Sequence, residues 1–274
     1  MTIIDALILG ILQGITEFLP ISSDGHLVIV EQLMKLDMEH LKSFDVLLHM
    51  GTLLAIIVYF WKDVIALIKA FFLFIFGKLS KDDPYVKLIF LIVIGTIPAV
   101  FAGLFLGDYI DLYLRSVSFT GVFMILMAFT YIFSEMAYKN HQTKKSELNF
   151  KQVFVIGILQ AMALLPGISR SGSTISAAIF QGVDRSYAAR FSFLLGLPAI
   201  LGAGVLTGLK DVMGVTASYQ IYNFPAFAVG FFISFIFGLI SIWALMKLLK
   251  KHSLLVFAIY LLALGVVLGL RPQI

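Results

Sequence analysis

The chain lacks cysteine and has few charged residues. The absence of cysteine from its 274 residues excludes disulfide bonds and thiolate metal sites. Charged side chains make up only 13% of the residues, whereas 60% are hydrophobic and the mean hydropathy is +1.00. A soluble globule of this size needs far more polar side chains on its surface, so the composition requires a lipid bilayer as solvent.

Dense basic clusters are also missing. The net charge of +4 comes from lysines scattered through short connections, which argues against a nucleic-acid partner. No basic residue precedes Lys35, so the N-terminal region does not resemble a signal peptide. We therefore expect the spans themselves to direct insertion into the membrane.

Long apolar stretches recur along the chain. A hydrocarbon core of about 30 Å needs about 20 apolar residues in a helix. The predicted spans are 44–61, 85–106, 119–138, 191–209, 224–246 and 254–270. The apolar stretch 64–77 is interpreted as a helix on the inner side, with a seventh span as the alternative. The sequence thus predicts an all-α polytopic membrane protein with about six transmembrane helices.

Two segments of the chain are similar to each other. Residues 8–26 align with residues 155–173 at an offset of 147, and glycine, glutamine and serine coincide in register. The identical pairs are Gly10/Gly157, Ile11/Ile158, Leu12/Leu159, Gln13/Gln160, Ile21/Ile168, Ser22/Ser169 and Gly25/Gly172. Internal duplication explains this agreement better than chance, and it predicts a first repeat at 1–140 and a second at 150–274.

The distribution of lysine gives the orientation of the repeats. Lysine-rich stretches at 62–87, 139–151 and 247–251 are predicted to be cytoplasmic, and the lysine-poor stretches 107–118 and 210–223 to face outward. Three spans per repeat is an odd number, so the repeats have opposite orientations. Segments 3–43 and 152–189 do not fit as spans and are predicted to be re-entrant helix–loop–helix segments. Their tips should meet at a hydrated cavity, because irregular backbone needs protein or water around it.

Charged side chains within apolar segments cost about 2.5–3.5 kcal/mol each and point to function. They concentrate on the two re-entrant loops. The first loop contains Gln13, Glu17, Ser22, Ser23, Asp24 and His26, and the second contains Ser169, Arg170, Ser171, Ser173 and Thr174.

The second loop has the composition of an anion site. Its Ser/Gly run precedes the apolar stretch ISAAIF, which indicates a new helix whose N-terminal amides and hydroxyls converge. Arg170 adds a planar fork that suits phosphate. Simpler interpretations remain: the hydroxyls are helix caps, His26 is structural, and Glu17 and Arg170 form an ion pair that joins the repeats.

Four segments of the chain resemble one known family. They are the paired motifs QGITEFLPISSDGH (13–26) and LPGISRSGST (165–174), together with FDVLLHMGTLLA (44–55) and GLPAILGAG (196–204). Over its full length the chain resembles the bacterial undecaprenyl-diphosphate phosphatases of the bacitracin-resistance type. Two positions depart from that pattern. Gln13 stands where a second carboxylate can occur, and Asp24 stands where relatives often have threonine.

The resemblance implies hydrolysis of undecaprenyl diphosphate to the monophosphate, which recycles the lipid carrier for peptidoglycan and other envelope polymers. It also implies bacitracin resistance, a multi-pass location in the bacterial cytoplasmic membrane and an active site that opens outward. By position, the functional residues of the family correspond to Glu17, Ser23, His26, Ser169, Arg170 and Thr174. A divalent cation, Mg²⁺ or Ca²⁺, is implied as cofactor.

We therefore expect Arg170 and the hydroxyls of 169–174, with Ser22, to bind phosphate. His26 is the first candidate for nucleophile or proton carrier and Ser23 the second, and an attacking water is the third possibility that the sequence leaves open. Glu17 is expected to act as a base or, with Gln13, as a metal ligand. The expected partners are membrane lipids and the polyprenyl diphosphate substrate, and a homodimer stays open.

Two other classes of protein are alternatives to this hypothesis. Inverted repeats with broken helices are also typical of transporters, so a polyprenyl-phosphate flippase is the alternative function. A purely structural membrane protein would have no use for Arg170 at that depth.

Overall fold

The computed structural model describes residues 1–36, 38–212 and 224–270, and its regular elements are all α-helices. The predicted outward connection at 210–223 lies, from residue 213 onward, outside the described residues. The helices are α1 (Ile3–Phe18), α2 (Ser23–Leu33), α3 (Met38–Tyr59), α4 (Trp61–Ile75), α5 (Pro84–Tyr113), α6 (Val117–Asn140), α7 (Phe150–Met162), α8 (Arg170–Phe180), α9 (Arg185–Val212), α10 (Phe224–Leu249) and α11 (Leu255–Leu270).

Within these ranges, five helical stretches are long and apolar enough to cross a membrane. They are Leu41–Tyr59, Pro84–Ile110, Val117–Asn140, Arg185–Leu209 and Phe224–Leu249. The predicted all-α polytopic fold is confirmed. The sixth predicted span, 254–270, corresponds to α11, whose 16 residues extend only about 24 Å and fall short of a typical hydrocarbon core, so this span stays a prediction.

Several predicted boundaries need correction. Residues 38–43 belong to α3 rather than to the first re-entrant segment, and residues 185–189 belong to α9 rather than to the second. The helix of the predicted span 44–61 ends early, at Tyr59, because the helical backbone is interrupted at Phe60 and α4 begins at Trp61. Hydropathy locates the apolar centre of a helix but not its polar ends, which explains these shifts. The expected separate helix at 64–77 is α4.

Both predicted re-entrant segments are broken helices with the same local design. In the first, α1 ends at Leu19 in extended backbone, as expected before Pro20, and Ser22 caps α2. In the second, α7 ends before Pro166 and Ser169 caps α8. The caps Ser22 and Ser169 are an aligned pair of the repeat, so each half begins its second short helix in the same way.

Glycines bring the broken helices close to their neighbours. A Cβ atom on Gly10 of α1 would lie 2.9 Å from the carbonyl oxygen of Gly230 in α10. A Cβ atom on Gly157 of α7 would lie 2.6 Å from the carbonyl oxygen of Gly95 in α5. The aligned glycines thus have the same packing role, which is close backbone contact between helices. The repeat boundaries at 1–140 and 150–274 stay predictions.

The tips of both broken helices lie against α6. The Tyr131 side chain is fully buried, and its hydroxyl donates a hydrogen bond of 2.8 Å to the carbonyl of Pro20. A Cβ atom on Gly172 would lie 1.7 Å from the same hydroxyl, so only glycine fits there. Tyr131 therefore holds the two tips together and fixes the site between them.

Candidate functional site

A cavity of about 310 Å³ lies where the two broken helices meet. Its walls come from both loops, α3, α9 and the connection between α5 and α6. Its lining side chains include Glu17, Ser22, Ser23, Asp24, Lys42, Asp45, His49, Arg115, Ser169, Arg170, Ala203 and Thr207. The cavity thus brings together acidic, basic and hydroxyl groups inside an otherwise apolar protein.

Glu17 lies at the centre of the hydrogen bonds that join the loops. Arg170 Nη2 donates to Glu17 Oε1 at 2.6 Å, and Ser23 Oγ donates to Glu17 Oε2 at 2.6 Å. Gln13 Nε2 also donates to Oε2, at 3.2 Å. The carboxylate is therefore paired with the arginine on one side and with a hydroxyl on the other, and the ion pair between the repeats is part of the cavity wall.

The Arg170 guanidinium lies against the backbone of α9. Its Nη1 is 3.4 Å from the carbonyl oxygen of Ser192. A Cβ atom on Gly196 would lie only 2.0 Å from the same Nη1. Gly196 therefore provides the space in which the guanidinium sits beside Glu17.

Two helix N-termini point into the cavity. Ser22 caps α2 with its hydroxyl and also accepts a hydrogen bond of 3.2 Å from the Gly167 N–H of the other loop. Ser169 caps α8 by accepting from the Gly172 N–H at 3.1 Å. Ser22 has φ of 72°, a conformation that a non-glycine residue adopts rarely and that concentrates at functional sites. Two N-termini beside an arginine favour an anion.

His49 is a member of the site that the sequence analysis did not assign. Its Nε2 lies 3.5 Å from Glu17 Oε2 and 3.4 Å from Asp24 Oδ1, and its Nδ1 lies 2.8 Å from the carbonyl oxygen of Asp45. His49 lies within the predicted span 44–61. A polar side chain in an apolar helix carries a free-energy cost, and this cost identified the loop residues. The same signal could have identified His49.

His26 does not line the cavity. The side chain is buried, with Nδ1 2.7 Å from the Ser22 carbonyl oxygen and Nε2 2.7 Å from the Tyr260 hydroxyl. Both ring nitrogens therefore have partners within the protein. The predicted role of His26 as nucleophile or proton carrier stays untested, and its observed contacts hold the cap of α2.

Three hydroxyls of the predicted phosphate cradle bond to the protein instead. Ser173 Oγ and Thr174 Oγ1 bond to the Arg170 carbonyl at 3.0 and 2.9 Å, and Ser171 Oγ donates to the Glu17 carbonyl at 3.3 Å. Serine and threonine inside helices commonly bond to carbonyls three or four residues back. Among the predicted cradle residues, Ser22, Ser169 and Arg170 line the cavity.

The donor set does not fit a metal held by the protein. Among the described residues, no three histidine, cysteine, aspartate or glutamate side chains are placed to hold a metal ion. Mg²⁺ and Ca²⁺ take six or more oxygen ligands, whereas the Glu17 oxygens already accept bonds from Arg170, Ser23 and Gln13. The predicted metal role of Glu17 with Gln13 gains no support from this geometry.

The cavity wall carries a second ion pair. Arg115, in the connection between α5 and α6, donates from Nη2 to Asp45 Oδ2 of α3 at 3.0 Å. Lys42 also lines the cavity. Three cationic side chains, Lys42, Arg115 and Arg170, therefore line one cavity, and such a lining favours an anionic ligand.

The fold and the cavity define a polytopic membrane protein with an internal cavity lined by arginine, carboxylate and hydroxyl side chains. Its residues 6–267 match the family described as Bacitracin resistance protein BacA, and the chain belongs to that family. This confirms the resemblance predicted from the paired loop motifs.

Curated relatives are similar over nearly their whole length. An undecaprenyl-diphosphatase of Methanosphaera stadtmanae is 43% identical over 274 residues, which cover 97% of this chain and 96% of the relative. An undecaprenyl-diphosphatase of Thermomicrobium roseum is 40% identical, with 98% and 97% covered. Undecaprenyl-diphosphatase 4 of Bacillus cereus (strain ZK / E33L) is 40% identical, with 97% and 95% covered.

Proposed function

We propose that the protein hydrolyses undecaprenyl diphosphate to undecaprenyl phosphate and inorganic phosphate. The observation that carries this proposal is the chain of contacts from Arg170 through Glu17 to Ser23 in the wall of one cavity. It places a cation for phosphate, a carboxylate and a nucleophilic hydroxyl side by side. The relatives named for this activity support the same conclusion. A flippase is not favoured, because those relatives are named as diphosphatases.

Among His26, Ser23 and water as the attacking group, the geometry favours Ser23. Its Oγ already donates to Glu17 Oε2, so the carboxylate is placed to take the hydroxyl proton. Oγ then forms a bond to the terminal phosphorus, and the anhydride P–O bond breaks with its electron pair on undecaprenyl phosphate. Water subsequently cleaves the phosphoserine and releases phosphate. His26 supports this step by holding the Ser22 carbonyl at the cap of α2.

Arg170 and the two helix N-termini stabilise the charge on the transferred phosphoryl group. They are fixed before substrate arrives, because Gly196, Ser169 and Ser22 set their positions. Donors that are placed in advance stabilise a developing charge without further reorganisation. When substrate binds, the phosphate takes over the Nη2 contact of Arg170, which frees Glu17 to act as the base.

The substrate approaches from the outer face in this proposal. The cavity is lined by Lys42–Met50 of α3 and by Ala199–Thr207 of α9, and both segments are on the outer side in the lysine-based topology. The C55 tail remains among the apolar helices of the bacterial cytoplasmic membrane. We propose that Mg²⁺ or Ca²⁺ arrives with the diphosphate. This activity would recycle the lipid carrier and underlie bacitracin resistance, and a homodimer stays a prediction.

The test is phosphate release by purified protein in detergent, with undecaprenyl diphosphate and a divalent cation. Arg170→Ala should lose about three to five decades in rate, as removal of a phosphoryl-stabilising arginine does elsewhere. Ser23→Ala should lose turnover and the phosphoserine detectable by mass spectrometry. Ser80→Ala, at an exposed position between α4 and α5, is the matched control and should retain full activity.

Three results would count against the proposal. Detergent leaves no compartments, so a transporter would release no phosphate at all. Wild-type turnover by Arg170→Ala would remove the arginine from the mechanism, and phosphate release by Ser23→Ala at the wild-type rate would assign the attack to water or His26.

A further inference from the structure

Asp24 places a negative charge in the cavity that the proposed chemistry does not use. Its side chain is 50% exposed, and it lines the same cavity as Arg170. The other two acids of the cavity wall have guanidinium partners, since Glu17 pairs with Arg170 and Asp45 with Arg115. The partner of Asp24 is His49, at 3.4 Å from Nε2 to Oδ1.

The placement of His49 suits a doubly protonated imidazole. Its Nδ1 faces the Asp45 carbonyl oxygen, which can only accept a hydrogen bond, so this nitrogen carries a hydrogen. Its Nε2 faces the carboxylates of Glu17 and Asp24, which are also acceptors when ionised. Hydrogens on both nitrogens satisfy every contact and place a positive charge between the two acids.

His49 also joins three helices at the position where the proposed reaction occurs. From α3 it reaches Glu17 on α1 and Asp24 in the first turn of α2. Glu17 Oε2, the oxygen near His49, is the one that accepts from Ser23. The imidazole therefore holds the carboxylate towards the hydroxyl while it offsets the charge of Asp24.

This pair matters for a polyanionic ligand. A diphosphate that enters the cavity meets Asp24 before it reaches the interior, because Asp24 is more exposed than Glu17, whose side chain is 5% exposed. Like charges brought together without a counter-charge weaken binding strongly. The acid is tolerated in this site only if a cation stays beside it.

We propose that the positive charge of His49 offsets Asp24 and thereby sets the affinity of the cavity for a diphosphate headgroup. This inference rests on the proposed phosphatase function. It assigns His49 an electrostatic and positioning role, with no proton transfer.

The test is a double-mutant cycle measured by phosphate release from undecaprenyl diphosphate, with His49→Gln, Asp24→Asn and the double variant. His49→Gln should raise KM about tenfold, because Asp24 then loses its nearest positive partner and repels the diphosphate. The increase should shrink at high salt, which screens charges at partly exposed sites. The double variant should return KM to within about threefold of wild type, because the two changes compensate.

The variants separate this role from others. If the double variant is as impaired as His49→Gln, His49 acts by packing or proton transfer and the inference is overturned. A KM within twofold of wild type for His49→Gln overturns it as well. Asp24→Asn is an independent arm that does not require His49→Gln to fold. It should lower KM, and a raised KM would refute charge compensation.

Failure of the function and failure of the inference give different results. If the wild-type protein releases no phosphate, the proposed function fails. If the wild-type protein is active and the cycle shows no coupling between Asp24 and His49, only the role of His49 fails.

Discussion

Gly196 offers a sharp test of the site, because its substitution should leave the fold intact and displace one side chain. Gly196 lies within α9, where alanine is favoured over glycine by about 1 kcal/mol. The new methyl group would lie 2.0 Å from Arg170 Nη1 and 2.7 Å from Cζ. Both atoms belong to the end of a flexible side chain, so the guanidinium can move away without disturbing the helix.

The size of that movement gives the expected effect on the rate. Carbon and nitrogen atoms in contact prefer about 3.5 Å, so the guanidinium must retreat by about 1.5 Å. Such a shift breaks the 2.6 Å contact with Glu17 and moves the cation away from the phosphoryl position. A misplacement of about 1 Å can cost about a hundredfold. We therefore expect Gly196→Ala to lower kcat about 100-fold to 1,000-fold, somewhat less than loss of the arginine.

The assay is phosphate release in detergent, together with the thermal unfolding midpoint. Gly202→Ala is the matched control, because it makes the same change in the same helix and its Cβ would meet nothing within 4 Å. Gly202→Ala should unfold at or slightly above the wild-type temperature. Gly196→Ala should still unfold cooperatively, but at a lower temperature than Gly202→Ala, because it separates the buried Arg170–Glu17 ion pair. If Gly196→Ala keeps more than a third of the wild-type kcat, the position of the Arg170 guanidinium does not control the reaction and the site is assigned wrongly.

Two further predictions concern the buried polar contacts that support the site. Glu135→Ala leaves Arg185, whose side chain is 22% exposed, without its carboxylate, and it leaves the Leu254 N–H without its acceptor. Removal of one partner of a buried pair costs up to about 3–5 kcal/mol, and the partial exposure of Arg185 reduces that cost, so the thermal midpoint in detergent should fall clearly. Glu147→Ala, at a side chain that is 82% exposed, is the control and should cost less than about 1 kcal/mol; equal effects would contradict the argument. Tyr131→Phe leaves the Pro20 carbonyl without its donor, so both the midpoint and the rate of phosphate release should fall, and an unchanged rate would show that the loop tips do not depend on Tyr131.

Hydropathy predicted most of the spanning helices well, because the bilayer constrains their apolar composition strongly. Helices α5, α6 and α10 contain the predicted spans 85–106, 119–138 and 224–246. The ends of the helices were less predictable, since a helix can continue past its apolar centre. The shortness of α11 was already visible in the predicted span 254–270, which differs from the helix Leu255–Leu270 only at its first residue.

The site was predicted in part. Glu17, Ser23 and Arg170 were found because polar side chains on duplicated loops are conspicuous, and the structure brings them together. Their detailed geometry depends on which way each side chain turns, and the sequence does not contain that information. Thr174 was expected in the phosphate cradle, but its hydroxyl bonds to a carbonyl one turn back and to Ser192.

His49 is a residue of the candidate site that the sequence pattern did not identify. It stands on a spanning helix, far in sequence from either loop, so only the packing of α3 against α1 reveals its contact with Glu17. A single histidine in an apolar stretch is easily absorbed into a span, although its cost in the membrane should have set it apart.

The pairing of α1 with α10, and of α7 with α5, has a consequence for biogenesis. Ile3 begins the first helix to be synthesised, yet the helix that receives it begins only at Phe224. During translation α1 enters the translocon or the lipid before α10 has been synthesised. Long-range contacts of this kind form late. A nascent chain that ends before α10 therefore carries every side chain that lines the cavity, but it lacks the helix against which α1, and with it Glu17, packs.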